Sequence, residues 1–260
     1  MSRRHARSAA ADALLPWVLP AIVLIVWQWT ASMELVSAKL FPTPLMIAQA
    51  GWKLFASGKL GHHMGISLQR ALLGLLIGGG LGFALGIANA ASKTAYRLFD
   101  TTIQMIRNVP HLALVPLVII WIGIGETSKV FLVALGVLFP IYVNTYHGVR
   151  NVGSELLEMG SVYGLRPREL FFHILLPGAL PSIFVGLRYA LGVMWLTLIV
   201  AETIATNEGI GYLAMNAREF MQADIIILSI ILYALFGKLA DLLAKALERR
   251  LLRWNAAYRA

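Results

Sequence analysis

What this sequence lacks already excludes several classes of protein. Cysteine is absent and the six histidines are scattered, so the chain offers neither disulfide bonds nor a thiolate metal site. Charged residues make up only 13% of the chain, well below the roughly 25% usual in soluble domains. Hydrolase motifs of the Gly-x-Ser-x-Gly and His-Glu-x-x-His types are missing, as is a Gly-x4-Gly-Lys-Ser/Thr phosphate loop. We therefore predict a chain without catalytic residues, bound metal or bound cofactor.

Apolar residues dominate what is present. They form 58% of the chain, and the mean hydropathy is +0.73. Each apolar run has about twenty residues, enough to cross a hydrocarbon core of about 30 Å. The runs cover residues 14–33, 65–88, 101–122, 129–148, 181–203 and 223–243. We predict an all-α integral membrane protein with six transmembrane helices, in which a short amino-terminal segment (1–13) and a tail (244–260) flank the transmembrane domain (14–243).

The basic residues predict the orientation of the chain. With the amino terminus inside the cell, the predicted cytoplasmic segments hold fifteen Lys and Arg residues and the outer segments hold five. Membrane proteins concentrate these residues on the cytoplasmic side, so we expect both termini to be cytoplasmic. The net charge of +9 then predicts contact of the tail with the lipid bilayer rather than a nucleic-acid partner. Only Arg70 and Arg107 fall at membrane depth or near its edges.

One polar segment, residues 150–181, interrupts the apolar sequence. Its charged residues favour water, and its apolar residues suit two short helices packed against each other. Gly164 fits the turn between them because glycine adopts positive φ without steric cost. Pro167 suits the first turn of the second helix, and we expect Pro177 and Pro181 to end that helix before the next span. The segment thus predicts a cytoplasmic helix-turn-helix.

The same segment carries a motif with defined spacing. Its residues are Glu158, Gly164, Ile174, Leu176 and Pro177. They resemble the Glu-Ala-Ala-x3-Gly-x9-Ile-x-Leu-Pro loop of permease subunits of binding-protein-dependent ABC importers, which docks into a cleft of the ATPase. The resemblance implies a type I ABC importer permease fold and an ATPase-coupling role for these residues and for Leu165. Met159 and Gly160 depart from the pattern, which usually has two alanines there.

A narrower resemblance extends over nearly the whole chain. Phe-Pro-Thr-Pro at 41–44 and Arg-Asn-Val-Pro at 107–110 are similar to permeases of the nitrate, sulfonate and taurine branch. Within that branch, residues 187–197, 201–203 and 209–212 look most like the aliphatic sulfonate permeases. The resemblance implies import of a small organic anion, with an aliphatic sulfonate expected first and taurine or nitrate next.

The resemblance also implies partners and a location. The permease is expected to pair with a second copy of itself and with a cytoplasmic ABC ATPase dimer, which would bind the ATP and Mg. A periplasmic or surface substrate-binding protein would deliver the anion. The expected location is the bacterial inner membrane, which the chain crosses several times.

Polar side chains within the predicted spans are candidates for the translocation path. They are Arg107, Asn108, Trp195, Thr197 and Thr203. Ionisable residues inside a bilayer usually face a cavity, so Arg107 could attract a passing anion. The alternative is that Arg107 snorkels to the interface or pairs with Asp100, and the residues of the fifth span could equally serve helix packing. Glu202 would repel an anion unless paired, so we interpret it as a gate or contact residue.

A glycine stripe marks the second predicted span. Gly74, Gly78, Gly82 and Gly86 recur every four residues and therefore share one helix face. Small residues in that arrangement let another backbone approach closely. We predict tight helix packing there, within or between subunits.

An ion-coupled secondary transporter of small anions is the remaining alternative. Such carriers usually have intramembrane carboxylates or inverted repeats, and neither is clear in this sequence. Uptake that persists after collapse of the proton gradient, with ATP maintained, would favour the importer.

Overall fold

The computed structural model describes residues 2–33, 37, 40–204 and 206–255, and it is helical, with no β-strand in those ranges. The last residues of the predicted basic tail, 256–260, lie outside the described part. The α-helices are α1 (Ser2–Ser32), α2 (Pro44–Ala56), α3 (Lys59–Ala91), α4 (Lys93–Arg107), α5 (Val115–Ile122), α6 (Glu126–Arg150), α7 (Ser154–Val162), α8 (Pro167–Leu170), α9 (Leu176–Thr203), α10 (Ile210–Glu219) and α11 (Ala223–Leu251). A 3₁₀ turn (His111–Leu114) precedes α5, and a π turn (Phe171–Leu175) joins α8 to α9.

Each predicted apolar run falls on helical structure, but the number of spans differs from six. Among the described residues, four helices are long and apolar enough to cross a membrane: α3, α6, α11 and the continuous helix Pro167–Thr203. The count is five if α4 and the helix His111–Ile122 form one broken span. The apolar part of α1, Val18–Ser32, is shorter than these.

The third predicted span, 101–122, is broken rather than straight. Its two halves meet at an angle of 82°, and the break lies between Arg107 and His111. Pro110 has no N–H to donate and so cannot continue the hydrogen bonding of α4. Pro116 lies in the first turn of α5, where a helix tolerates proline. The break leaves Arg107 at the carboxyl end of α4.

The prediction that Pro177 and Pro181 end a helix is wrong. The helix runs without interruption from Pro167 to Thr203. At the π turn the Leu176 N–H donates to the Phe171 carbonyl. This wider turn stands directly before Pro177, where a regular helix would press the ring against a carbonyl one turn earlier. The second arm of the polar hairpin is therefore a direct extension of the fifth predicted span.

The described residues form two compact units, each with its own packing. One comprises residues of 1–62 and 213–231, and the other comprises residues of 63–212 and 232–260. In the first unit, α2 buries Ile47 and Ala50. In the second unit, α6 and α9 pack against each other along much of their length.

The glycine stripe of α3 faces α6 inside the second unit. A side chain on Gly78 would overlap the Ala134 carbonyl, and one on Gly86 would lie 2.7 Å from Thr145 Cβ. The predicted close helix packing is therefore present within a single chain. It holds the backbone of α3 directly against that of α6.

Candidate functional site

The turn of the polar hairpin is a glycine helix cap. Gly164 has φ +78°, a conformation that other residues rarely adopt. Its N–H donates to the Ser161 carbonyl, and the Leu165 N–H reaches back to the Gly160 carbonyl, both at 3.0 Å. This Schellman arrangement satisfies the last carbonyls of α7. The predicted reversal at Gly164 is thus found where the motif places it.

The second arm begins with its own cap. Pro167 lies in the first turn of α8, and the Glu169 carboxylate accepts a hydrogen bond from the Arg166 backbone N–H at 2.7 Å. This contact satisfies a donor that the helix start leaves free. The chain direction after the turn is therefore set by local hydrogen bonds.

The interior of the hairpin explains why Gly160 replaces an alanine of the family pattern. Gly160 is buried, and a Cβ there would lie 2.5 Å from Ile174 Cδ1 and 2.7 Å from Leu170 Cδ2. Ile174 and Leu165 are half-buried, so the hairpin brings these two motif residues together with Gly160. Leu176 and Pro177 are half-buried at the start of α9, while Glu158 points to solvent.

The hairpin also exposes apolar side chains on its solvent-facing surface. We call Met159, Val162 and Tyr163 the hairpin tip; their exposed fractions are 49%, 87% and 81%. Exposed apolar groups clustered in a charged segment are typical of a protein contact surface. The sequence could have indicated Val162, because helical spacing places it on the face of α7 away from the buried Gly160.

A cavity of about 330 Å³ lies beside the break between α4 and α5. We call it the Arg107 cavity. Its lining residues are Arg107, His111, Gly136, Phe139, Pro140, Val143, Asn144, Tyr189 and Val193. They come from the break and from the central turns of α6 and α9. These turns lie near the middle of the two predicted spans at 129–148 and 181–203.

Arg107 is exposed in this cavity. No hydrogen bond or ion pair joins it to any residue in the described part of the chain. The alternative pairing with Asp100 is not found, since Asp100 instead accepts a hydrogen bond from the Tyr142 hydroxyl at 3.2 Å. Asn108 caps the carboxyl end of α4 and does not line the cavity. The Arg107 guanidinium is therefore a positive charge without a partner among the described residues.

Of the other candidates for the path, only Thr197 lies near the cavity. Its buried hydroxyl shares a hydrogen bond of 3.0 Å with His111 Nε2, a lining residue that the sequence reasoning left aside. Trp195 is buried against Tyr233 and Phe236. Thr203 donates to the Val200 carbonyl within its own helix. The structure does not bring Trp195 or Thr203 to the Arg107 cavity.

A second set of charged and polar side chains is largely buried, and its members are paired with one another. We call it the Arg70 cluster. Its members are Ser67, Arg70, Glu126, Lys129, Glu202 and Tyr233. Arg70 donates two hydrogen bonds to Glu126, both 2.6 Å, and one of 2.7 Å to Glu202. Lys129 lies 3.1 Å from Glu126, so two cations balance two carboxylates.

Glu202 is the most enclosed member of the Arg70 cluster, with no exposed surface. Its carboxylate accepts hydrogen bonds from Tyr233 and from the Gly211 N–H, both at 2.9 Å, and Ser67 Oγ lies 2.8 Å away. A Cβ on Gly209 would lie 2.5 Å from the same carboxylate. Glu202 and Glu126 thus share one guanidinium, an arrangement of carboxylates that was not clear in the sequence.

These features define a class: a helical membrane protein with a broken span beside a cavity and a protruding hairpin that continues into a spanning helix. The chain belongs to the family of binding-protein-dependent transport system inner membrane components, whose family model matches residues 73–253. It is therefore a multi-pass inner-membrane protein and a component of a transport system.

Comparison with individual proteins sharpens that assignment. The chain is 59% identical over 243 residues to the putative aliphatic sulfonates transport permease SsuC of Escherichia coli, covering 94% of this chain and 92% of that protein. It is 36% identical to the taurine transport system permease TauC of Escherichia coli, covering 90% and 87%. Its fold resembles a crystal structure of an amino acid ABC transporter, with a TM-score of 0.62, 16% identity, and coverage of 79% and 98%. The predicted permease fold is confirmed.

Proposed function

We propose that this chain is the membrane-spanning permease subunit of an ATP-driven importer for a small organic anion. An aliphatic sulfonate is the first candidate, with taurine and nitrate next. The proposal includes a homodimer of permeases, a cytoplasmic ATPase dimer and a substrate-binding protein on the outer side. Similarity to the sulfonate permeases supports the substrate class, and the hairpin that continues into a spanning helix carries the mechanism.

The substrate class requires a protected path. A sulfonate keeps its negative charge at every physiological pH, and an ion of this kind is strongly disfavoured in hydrocarbon. It must cross through a polar cavity that opens to one side at a time. The Arg107 cavity, near the middle of α6 and α9, supplies a cation at the required depth.

The hairpin supplies the mechanical link. Its second arm and the fifth predicted span form one helix from Pro167 to Thr203, so a displacement of the hairpin is transmitted along a single rigid element. The exposed hairpin tip offers apolar contacts to the ATPase. Closing of the ATPase dimer would draw two hairpins together and shift the helices between inward-open and outward-open arrangements. Both chain termini would then share the cytoplasmic side with the hairpin.

Reconstitution tests this function directly. The permease is assembled with its ATPase in proteoliposomes, the binding protein is added outside, and uptake of a radiolabelled alkanesulfonate is measured. We expect uptake that requires both ATP and the binding protein and that persists after the proton gradient is collapsed. Uptake driven by an ion gradient without ATP would reject the proposal and favour a secondary transporter.

Substitution at the hairpin turn tests the coupling role. Gly164→Asp forces a residue with a side chain into the left-handed conformation, at a cost of about 1 kcal/mol, and distorts the turn that orients the tip. We expect the variant to assemble with the ATPase. Its ATP-dependent uptake should fall at least about tenfold.

Gly153→Asp is the matched control. Gly153 also has open space around its Cα, but its φ is −56°, which any residue can adopt. The Gly153→Asp substitution adds the same charge directly before α7, where an acidic residue favours the helix start. Normal uptake by an assembled Gly164→Asp complex would contradict the assigned coupling role.

A further inference from the structure

The Arg107 cavity combines one exposed cation with an apolar wall. Phe139, Val143 and Val193 supply most of that wall, and Gly136 lies between them and His111. A Cβ on Gly136 would lie 2.8 Å from Thr197 Oγ1 and 3.5 Å from His111 Cδ2. Glycine therefore lets α9 and the break approach α6 closely at this edge of the cavity. The volume of about 330 Å³ lies within the range of roughly 300–1,000 Å³ typical of ligand pockets.

Some polar groups that line the cavity already make hydrogen bonds within the protein, and others are available to a ligand. The Asn144 side-chain amide donates to the Pro140 carbonyl at 2.9 Å, and His111 Nε2 is engaged with Thr197. Within the described residues, the Arg107 guanidinium and the Tyr189 hydroxyl have no hydrogen-bond partner. Tyr189 is 65% exposed. Arg107 and Tyr189 are thus the two lining side chains whose donors are all free for a ligand.

The available donors suit an oxyanion. An unpaired cation at membrane depth is strongly disfavoured, so an anion that pairs with Arg107 gains more there than in water. A guanidinium can donate two parallel hydrogen bonds to two oxygens of one group. A sulfonate has three such oxygens, which leaves one for the Tyr189 hydroxyl.

The lining also lacks a negative charge that would balance an ammonium. Among the described residues that line the cavity, none is Asp or Glu. An aminosulfonate such as taurine carries an ammonium two carbons from its sulfonate, and this charge would lose its water next to Phe139 and Val193 without a compensating partner. An unsubstituted alkyl chain of the same length meets no such penalty.

We propose that the Arg107 cavity is a head-and-tail binding site for one unsubstituted alkanesulfonate during its passage. The sulfonate binds Arg107 and Tyr189, and the alkyl chain packs against Phe139, Val143 and Val193. The site makes the permease itself selective. It disfavours aminosulfonates because the lining has no carboxylate to pair with their ammonium group. It disfavours nitrate because nitrate has no alkyl chain to pack against the apolar wall. This inference rests on the proposed function and assigns its substrate class to particular residues.

Direct binding tests the site without the selectivity of the binding protein. The full-length permease, assembled with its ATPase in nanodiscs, is titrated with radiolabelled pentanesulfonate, and ethanesulfonate, taurine and nitrate are added as competitors. We expect pentanesulfonate to bind more tightly than ethanesulfonate, by up to about fourfold for each methylene that is buried. Ethanesulfonate should compete at least about tenfold better than taurine, since an unpartnered ammonium is disfavoured.

Variants locate the binding at Arg107. Arg107→Gln should weaken pentanesulfonate binding at least about tenfold, and Arg107→Lys should restore part of it because the ammonium keeps the charge but not the paired donors. Arg97→Gln is the matched control, because Arg97 is exposed on the same helix and does not line the cavity. Each complex is checked for assembly by its elution volume.

The outcomes separate the site from the function. No measurable pentanesulfonate binding by the wild type, equal binding by the wild type and Arg107→Gln, or equal competition by ethanesulfonate and taurine would overturn the site. Equal competition by nitrate and ethanesulfonate would overturn the role of the apolar wall. If the wild-type importer still takes up sulfonate with ATP in proteoliposomes, the proposed function stands although the site fails.

Discussion

The two arginines that fall within the predicted spans have opposite environments, and the difference indicates what each does. Arg70 is 2% exposed and donates to two carboxylates and to the Glu208 carbonyl. Arg107 is exposed in a cavity and has no partner within the described residues. Removal of a buried cation that pairs with a buried carboxylate leaves that carboxylate unpaired and destabilises the fold. A cation with free donors beside a cavity is available to a ligand.

The elements that carry the two residues explain the contrast. Arg70 lies on α3, whose glycine stripe brings the helix against α6 and so places Arg70 beside Glu126. Arg107 ends α4 at the break before Pro110, where the chain turns by 82°. Irregular backbone inside a membrane occurs where it lines a cavity or is covered by protein. Close packing surrounds one arginine with partners, and the break leaves the other without them.

The largest expected effect comes from removing Arg70. Arg70→Met leaves the carboxylate of Glu202, which has no exposed surface, without its cation. Breaking one partner of a buried ion pair costs about 3–5 kcal/mol. We expect a loss of that size in the free energy of unfolding, measured by thermal or denaturant unfolding of the purified permease in detergent. Arg107→Met should change it by less than about 1 kcal/mol, because Arg107 has no partner to lose.

A double substitution sharpens the same test. In Arg70→Met with Glu202→Gln, no charge is left unpaired at Glu202, so part of the lost stability should return. Equal stabilities of Arg70→Met and Arg107→Met would show that the Arg70 cluster does not hold the helices together. The proposal that the two arginines have different roles would then be wrong.

Substitution in the glycine stripe is expected to have an intermediate effect. A Cβ in Gly78→Ala would overlap the Ala134 carbonyl, so α3 must move away from α6. This movement would also separate Arg70 from Glu126. Overpacking of this kind costs about 1–3 kcal/mol. The measurement is the same unfolding experiment.

Gly80→Ala is the control for the stripe. A Cβ on Gly80 meets nothing within 4 Å, and alanine favours a helix by about 1 kcal/mol over glycine. We therefore expect unchanged or slightly greater stability. If both alanine variants behaved alike, close packing of α3 on α6 would not explain the position of Arg70.

Local features of the sequence were predictive, and contacts between distant residues were not. The turn at Gly164 and the start of the second arm at Pro167 follow from glycine and proline geometry within a few residues. The glycine stripe likewise shows its helix face in its own spacing. The contact of Arg70 with Glu202 joins residues 132 positions apart, and no pattern in one sequence links them.

Two further features depended on tertiary or irregular structure. Pro177 follows a π turn, and the i+5 hydrogen bond that forms it has no clear signature in composition. The Arg107 cavity gathers His111, Asn144 and Tyr189 from three separate segments. Arg107 itself could be proposed from its charge at membrane depth, whereas its neighbours required the fold.

The smallest expected effect is at the exposed edge of the Arg70 cluster. The Lys129 side chain is buried, but it lies 3.1 Å from Glu126, whose side chain is 62% exposed, so water already screens the carboxylate of this pair. Lys129→Gln should lower the free energy of unfolding by less than about 1 kcal/mol, and added salt should reduce the difference further. A loss as large as that of Arg70→Met would mean that Glu126 depends on Lys129 rather than on its two bonds from Arg70. The stability of the cluster would then depend on both of its buried cations and not mainly on Arg70.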